Sequence, residues 1–266
     1  MQLKDFQWTT DLTFAYAKNK ITDLQARSRV IDLVTSSGFP LEGYPVRAIF
    51  SIPFMGLNEE GLPTFINENN ELTVSDINFQ EFDKLDHLIY EGPVDPTITG
   101  GFGNQFHYNG FHLNVFMTYS FGNKIRLDPT FSAAYSDLSS MPKEFKNRWV
   151  KPGDEQFTDI PVIASRRQYY NDSQLGYAYN AYNYSTARIA DGGFIRLKEV
   201  SLTYDLPKIV ISKLRLNNAS VKLQATNLCL LYADKKLNGQ DPEFFNSGGV
   251  ATPSPKQFTL TVRFGL

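Results

Sequence analysis

The chain has 266 residues and a net charge of −2, so it carries no basic excess with which to neutralise nucleic-acid phosphates. A single cysteine, Cys229, excludes an intrachain disulfide framework, and no apolar run approaches the ~20 residues that a membrane-crossing helix needs. A membrane-crossing sheet stays open, because alternation dilutes its apolar residues, and a content of 21 Phe, 14 Tyr and 2 Trp suits either a binding surface or an interfacial girdle.

Residues 1–10 lack the basic and apolar regions of a signal peptide. Phe6, Trp8, Leu12, Phe14 and Tyr16 share one parity, opposite Gln7, Thr9, Asp11 and Thr13, which predicts a strand almost from the first residue. A chain that starts inside a strand is expected to be a piece of something longer. Ile21 to Val34 admits a helix by pattern alone, and Ala48, Phe50 and Ile52 alternate ahead of Pro53. Thr99 to Tyr108 is glycine-rich and ends at Asn109-Gly110, the signature of a tight hairpin. In the strand after it, Phe111, Leu113, Val115, Met117, Tyr119 and Phe121 alternate with His112, Asn114, Thr118 and Ser120, with Phe116 the one misfit. The same alternation returns at Val200 to Leu206, Val221 to Thr226 and Gln257 to Phe264.

The connections come in two sizes. Short ones fall at Lys18 to Lys20, Gly56 to Leu62, Asn109-Gly110 and Pro207 to Lys213; long ones fall at Asp32 to Pro45, Asn67 to Ile98, Ser132 to Arg188 and Leu231 to Pro255. With about nine strands counted, the two sizes alternate, as in an outer-membrane barrel with short turns at one end and long loops at the other. The expected fold is therefore an all-β, antiparallel transmembrane β-barrel. Alternation by itself also fits a soluble antiparallel sandwich, for example a secreted or surface lectin-like carbohydrate-binding module.

Catalytic constellations are not apparent. The histidines are His87, His107 and His112; strand parity is expected to set His107 and His112 on different faces, with no cysteine or third histidine beside them, so no metal site is expected. The carboxylates Asp191, Glu199, Asp205, Asp234, Asp241 and Glu243 are scattered over strands and loops, and Gly100-Gly-Phe-Gly103 precedes a turn instead of a helix. No enzyme activity and no cofactor are expected. The loop Arg166 to Arg188 is different: Tyr169, Tyr170, Tyr177, Tyr179, Tyr182 and Tyr184 crowd together with Asn171, Asn180 and Asn183. Tyrosine faces stack on sugars or peptides and asparagine amides supply paired donors and acceptors, so the six tyrosines with Asn180 and Asn183 are the candidate substrate contacts. The same rings also suit a girdle or packing of the loop on itself.

Several stretches, in order, resemble the late barrel of SusC/RagA-like TonB-dependent outer-membrane transporters. They are Gly56-Leu-Asn-Glu-Glu-Gly-Leu-Pro63, Thr99 to Phe116 with Ser120-Phe-Gly-Asn-Lys124, and Asn147-Arg-Trp-Val-Lys-Pro-Gly-Asp-Glu155 with Asp159-Ile-Pro161. Further on come Phe194 to Pro207, Thr226-Asn-Leu228 and Gln240-Asp-Pro-Glu243. The resemblance covers nearly the whole chain. It implies that residues 1–266 are the carboxyl-terminal portion of a barrel of about 22 strands, without the plug domain and early strands. It also implies import of oligosaccharides or peptides across the outer membrane of a Gram-negative, Bacteroidetes-like cell, among outer-membrane lipids, with a SusD-like surface lipoprotein and with TonB acting through the absent region. Phe258 to Phe264 is similar to the terminal strand read by barrel-insertion machinery, although the chain ends Gly265-Leu266.

Overall fold

The computed structural model describes residues 2–3, 5–133, 135, 141–213, 215–245 and 255–265. In chain order the strands are β1 (Gln2–Leu3), β2 (Phe6–Tyr16), β3 (Ala48–Ser51), β4 (Phe54–Leu57), β5 (Pro63–Ile66), β6 (Leu72–Thr73), β7 (Ile89–Pro93) and β8 (Ile98–Tyr108). They continue as β9 (Phe111–Phe121), β10 (Lys124–Arg126), β11 (Ile189–Asp191), β12 (Phe194–Asp205), β13 (Asn218–Ala233) and β14 (Gln257–Gly265). The α-helices are α1 (Val30–Leu33), α2 (Arg166–Asn171), α3 (Leu175–Asn183) and α4 (Lys208–Lys213).

Seven strands form one antiparallel sheet in the order β1-β2-β8-β9-β12-β13-β14. Its six long members run 9 to 16 residues, enough for tilted strands to cross hydrocarbon, which takes about 9–11 residues. The register keeps parity aligned from strand to strand. One row across all six reads Trp8, Phe106, Leu113, Leu202, Leu223, Leu260, and the row on the opposite face reads Thr9, Gln105, Asn114, Ser201, Gln224, Thr259. The apolar face is not covered: Leu12 is 67% exposed, Leu223 56% and Leu260 65%. Aromatics gather at its two ends, with Phe6, Tyr108, Phe111, Tyr204 and Phe264 at the short-turn end and Tyr16, Tyr119, Phe121 and Tyr232 at the other. Aliphatic side chains dominate between them, as in a membrane-spanning band between two interfaces.

Phe116, the misfit on the polar face, has a partner in the glycine run. Its ring lies over Gly101, where an added Cβ would come within 2.8 Å of it, and beside Gly103. On the other face the Tyr119 ring crosses Gly100, and its hydroxyl donates to the Thr13 carbonyl, 2.8 Å away, two strands over. The glycines of β8 thus make room for large rings from β9 on both faces. Asn109 and Gly110 both take positive φ, 45° and 81°, as a two-residue hairpin of right-handed twist requires. Further up, Lys198 in β12 and Asn227-Leu228 in β13 interrupt the ladder as a bulge, and Asn227 supplies the left-handed residue at φ 53°.

Three expectations need correction. Among the described residues the wall has seven strands, not about nine: Ala48 to Ser51 is buried on both faces and pairs with β7 in a small sheet outside the wall, so it lacks the one exposed face that wall strands have. The Gly56 to Leu62 turn likewise joins β4 to β5 away from the wall. In Ile21 to Val34 only α1 is helical, because its backbone groups are engaged elsewhere: Ile21 N donates to Tyr44 O, Val30 N to Glu81 O and Ile31 N to Phe79 O. Finally, His107 and His112 stand directly opposite each other on the same polar face, since a two-residue hairpin pairs 107 with 112. Short connections still sit at one end, at 109–110 and 206–217, and long ones at the other, at 17–97, 122–193 and 234–256. No described helix is long and apolar enough to cross a membrane.

Two outcomes follow from this arrangement. In lipid, Val115→Arg should destabilise the sheet by about 2–4 kcal/mol, whereas Asn114→Arg, on the other face beside Glu199, should change little. Urea unfolding in bilayers or detergent distinguishes them, and equal losses would contradict a lipid-facing parity. Outside the wall, buried His87 donates from Nδ1 to the Lys84 carbonyl and leaves Nε2 without a partner, and burial holds its pKa below the ordinary 6.5. The folded imidazole stays neutral while the unfolded one takes a proton, so stability falls as pH drops below about 6.5. The thermal midpoint measured against pH should show this fall, and His87→Gln should flatten it.

Candidate substrate-binding surface

The long connections fold into a cap at one end of the wall. The hydrophobic core of the chain lies there, and both 17–97 and 122–193 contribute to it: Val30, Leu33, Phe50, Ile52 and Phe65 from the first, Phe131, Phe145, Leu175, Tyr179 and Tyr182 from the second. A parallel bridge between Ile52 and Ser185 joins them, with Ile52 N donating to Tyr184 O and Thr186 N to Ile52 O.

The tyrosine-rich loop is helical, and the helix sorts its candidates. Ser165 and Gln168 form a capping box that starts α2. In α3, Leu175, Ala178, Tyr179 and Tyr182 fall at i, i+3, i+4 and i+7 and turn inward as one stripe. Tyr179 is 1% exposed and its hydroxyl donates to the Val162 carbonyl; Tyr182 is 2% exposed and packs edge-on against Phe54 and Phe131. Burial pushes both phenols well above the ordinary tyrosine range. Asn183 makes two bonds to the Phe131 backbone, accepting from N at 3.1 Å and donating to O at 2.8 Å. Tyr184 packs edge-on to Phe79, with the Arg126 guanidinium 6.0 Å from its ring centre. Tyr179, Tyr182 and Asn183 are therefore core residues, out of reach of a ligand, because the helical stripe faces them inward. Tyr169, Tyr170, Tyr177 and Asn180 remain on the surface, beside exposed Arg166 and Arg167.

Three buried arginines fasten the cap, and no local sequence signal marks them. Arg126, 1% exposed, donates to the carbonyls of Phe50 and Ser185 and to Ser51 Oγ, so it ties 17–97 to 122–193; burial lowers its pKa to about 10. Arg188 donates to Glu144 at 2.8 Å and to the Asp128 carbonyl, with its guanidinium over the Phe131 ring. Arg196, on the polar face of β12, meets Asp241 at 2.5 Å and Glu243 at 3.0 Å, which draws 234–245 back over the wall. Burying a guanidinium is costly unless it is paired or fully hydrogen-bonded, so each fixes a loop position strongly. Between cap and wall lies a cavity of about 560 Å³ whose lining includes Asp95, Ser120, Asn123, Lys198, Glu243 and Phe245, within the size range of small-molecule sites.

Two of the sequence motifs also dock on each other. Asn58 Oδ1 accepts from Glu60 N and Leu62 N to close the Gly56 to Pro63 turn, Gly61 takes φ 75°, and the Trp149 ring covers Gly61. Glu155 accepts from Trp149 Nε1 at 2.9 Å and from Gly153 N at 2.8 Å. Among the described residues no group of three or more His, Cys, Asp or Glu side chains converges as for a metal ion.

A sheet with one exposed apolar face, one polar face and a folded cap at its long-loop end is a stretch of transmembrane β-barrel wall. No family model matches the chain. It is similar to TonB-dependent receptors of Formosa agariphila: 26% identical to receptor P3, over 90% of this chain and 23% of that protein, and 24% identical to receptor P39, over 93% and 26%. Receptor P26 is 25% identical over 96% of this chain and 27% of its own length. The chain thus spans about a quarter of the length of the curated relatives it matches. Among solved structures it superposes on a chain of the RagAB peptide transporter with a TM-score of 0.71 at 23% identity, covering 99% of this chain and 28% of that one. With the open-open state of the RagAB peptide importer the TM-score is 0.68 at 21% identity, covering 100% and 27%. The resemblance to TonB-dependent receptors is borne out by these relatives, and the antiparallel barrel-wall fold is shared with the RagAB chains.

Gly61→Ala would place a Cβ 2.4 Å from the Trp149 ring on a backbone that already disfavours side chains. It should cost about 1–3 kcal/mol and loosen the cap. Urea unfolding followed by Trp149 fluorescence in a Trp8→Phe background measures it, and an unshifted transition would disprove the contact.

Proposed function

We propose that this chain forms the late barrel wall and the external cap of a TonB-dependent importer in the outer membrane of a Gram-negative, Bacteroidetes-like cell. The observation that carries the reading is the uncovered apolar face, held in register across six long strands and bounded by aromatics at both ends. A soluble lectin-like module would leave that face in water. Among the described residues β14 has one unpaired edge, and in hydrocarbon that edge needs a further strand, since backbone groups there have no water to bond; a longer barrel would supply it. Energy from TonB would act through parts of the importer outside this chain, and a SusD-like lipoprotein would close over the cap. Both partners are supported by the resemblance to SusC/RagA-like receptors.

The cargo proposed is an oligosaccharide or a peptide, first met by Tyr169, Tyr170, Tyr177 and Asn180. Exposed rings with a neighbouring amide can stack on a sugar or a peptide plane and bond its polar edge. Replacing Tyr170 and Tyr177 together by Ala should weaken binding of the cognate class about tenfold, since each ring contact is worth about 0.5–1.5 kcal/mol, and should leave stability unchanged. Tyr182→Ala should instead cost about 3–5 kcal/mol in folding. Calorimetric titration of the purified protein with an oligosaccharide panel and a peptide panel separates these outcomes. Unaltered affinity in the double variant would remove the tyrosines from the site.

A further inference from the structure

At the short-turn end of the wall, far from the cap, three side chains converge on the polar face. His107 and His112 are cross-strand partners flanking the Asn109-Gly110 hairpin, with rings nearly perpendicular at 86° and Nδ1 atoms 2.5 Å apart. On its other side His112 Nε2 lies 2.7 Å from Asp205 Oδ2. Asp205 is itself pinned to the hairpin, because its backbone N–H donates to the Gly110 carbonyl at 2.9 Å.

A carboxylate only accepts, so His112 donates from Nε2, and in the imidazole form its Nδ1 presents a bare lone pair. That lone pair points at His107 Nδ1, and one hydrogen at most fits between the two nitrogens. The separation is below the 2.7–3.2 Å range of ordinary N–H hydrogen bonds, and nitrogen lone pairs converging from neighbouring strands are what a bridging cation uses. A carboxylate on the far nitrogen is the arrangement that orients metal-bound imidazoles and raises their basicity.

We propose that His107 Nδ1 and His112 Nδ1 bind a divalent transition cation, Cu²⁺ or Zn²⁺, with Asp205 as positioning residue and water completing the coordination. The imidazoles open by under about 1 Å to give metal–nitrogen distances near 2.0–2.1 Å. In the bound form His107 carries its hydrogen on Nε2, so that both Nδ1 lone pairs face the ion. The small cavity beside the pair, about 380 Å³ and lined also by Asp5 and Gln7, gives the ion its access and its waters. Two protein nitrogens make an exchangeable site, one that neither the transport reading nor the fold requires.

The test uses the purified full protein in detergent, titrated with Zn²⁺ by calorimetry and loaded with Cu²⁺ for electron paramagnetic resonance. One equivalent of Zn²⁺ should bind, His112→Ala and His107→Ala should each abolish it, and Asp205→Asn should weaken it about 10–100-fold. In the wild-type protein, Cu²⁺ should show superhyperfine coupling to two nitrogens, a readout independent of whether any variant folds. Failure of Zn²⁺ to bind, stoichiometric binding that survives His112→Ala, or a Cu²⁺ spectrum without nitrogen coupling would each overturn the proposal.

Discussion

The wall of this protein depends on a constraint set by the medium around it. Hydrocarbon offers no hydrogen bonds, so each amide and carbonyl of a membrane-crossing strand must pair with a neighbouring strand, and each outward side chain must be apolar. A register slip of one residue would send a whole strand's polar set into lipid. The aligned rows from β2 to β14 answer these demands over most of the sheet, and Asn104, on the apolar parity, is satisfied by accepting from Trp8 Nε1 and Thr10 Oγ1. Irregularity is confined to the glycines of β8, which are overlain by Phe116 and Tyr119, and to two interruptions of the β12–β13 ladder, at Lys198 with Asn227 and at Leu231.

The cap follows other rules. It buries a core of its own, so strands there are short and covered on both sides, as in β3, and helices appear. The result is a molecule whose largest sheet has almost no buried apolar interior while its loops have one. The three arginines mark the seams. Each donates to a neighbouring connection or to its acids, and none has an aqueous alternative.

Much of the wall was legible because alternation of period two survives even with a misfit such as Phe116: the hairpin at Asn109-Gly110, its two flanking strands and the terminal strand all stand where the pattern put them. The cap was less legible. Ala48 to Ile52 alternates on paper, yet its neighbours bury both parities, and a sequence does not state what lies on a strand's second face. The tyrosine loop carries a helical signal in Leu175, Ala178, Tyr179 and Tyr182, but its density of rings equally matches the composition of a ligand-contact loop. That spacing would have divided interior tyrosines from exposed ones. The histidine pair was misplaced for a geometric reason: odd and even numbers share a face once a two-residue turn intervenes. The buried arginines left no local trace, since their partners lie 44 to 76 residues away.

The shared interior of 17–97 and 122–193 has an evolutionary consequence. Because Phe50 and Ile52 pack in the same cluster as Tyr179 and Tyr182, and Arg126 grips both segments, neither loop can be exchanged for a homologue's without opening half of that interior. Variation is then confined to substitutions on the outward helix surface or to inheritance of the two loops as a single block. Recombination between related genes would be tolerated at the borders of the pair and purged between them.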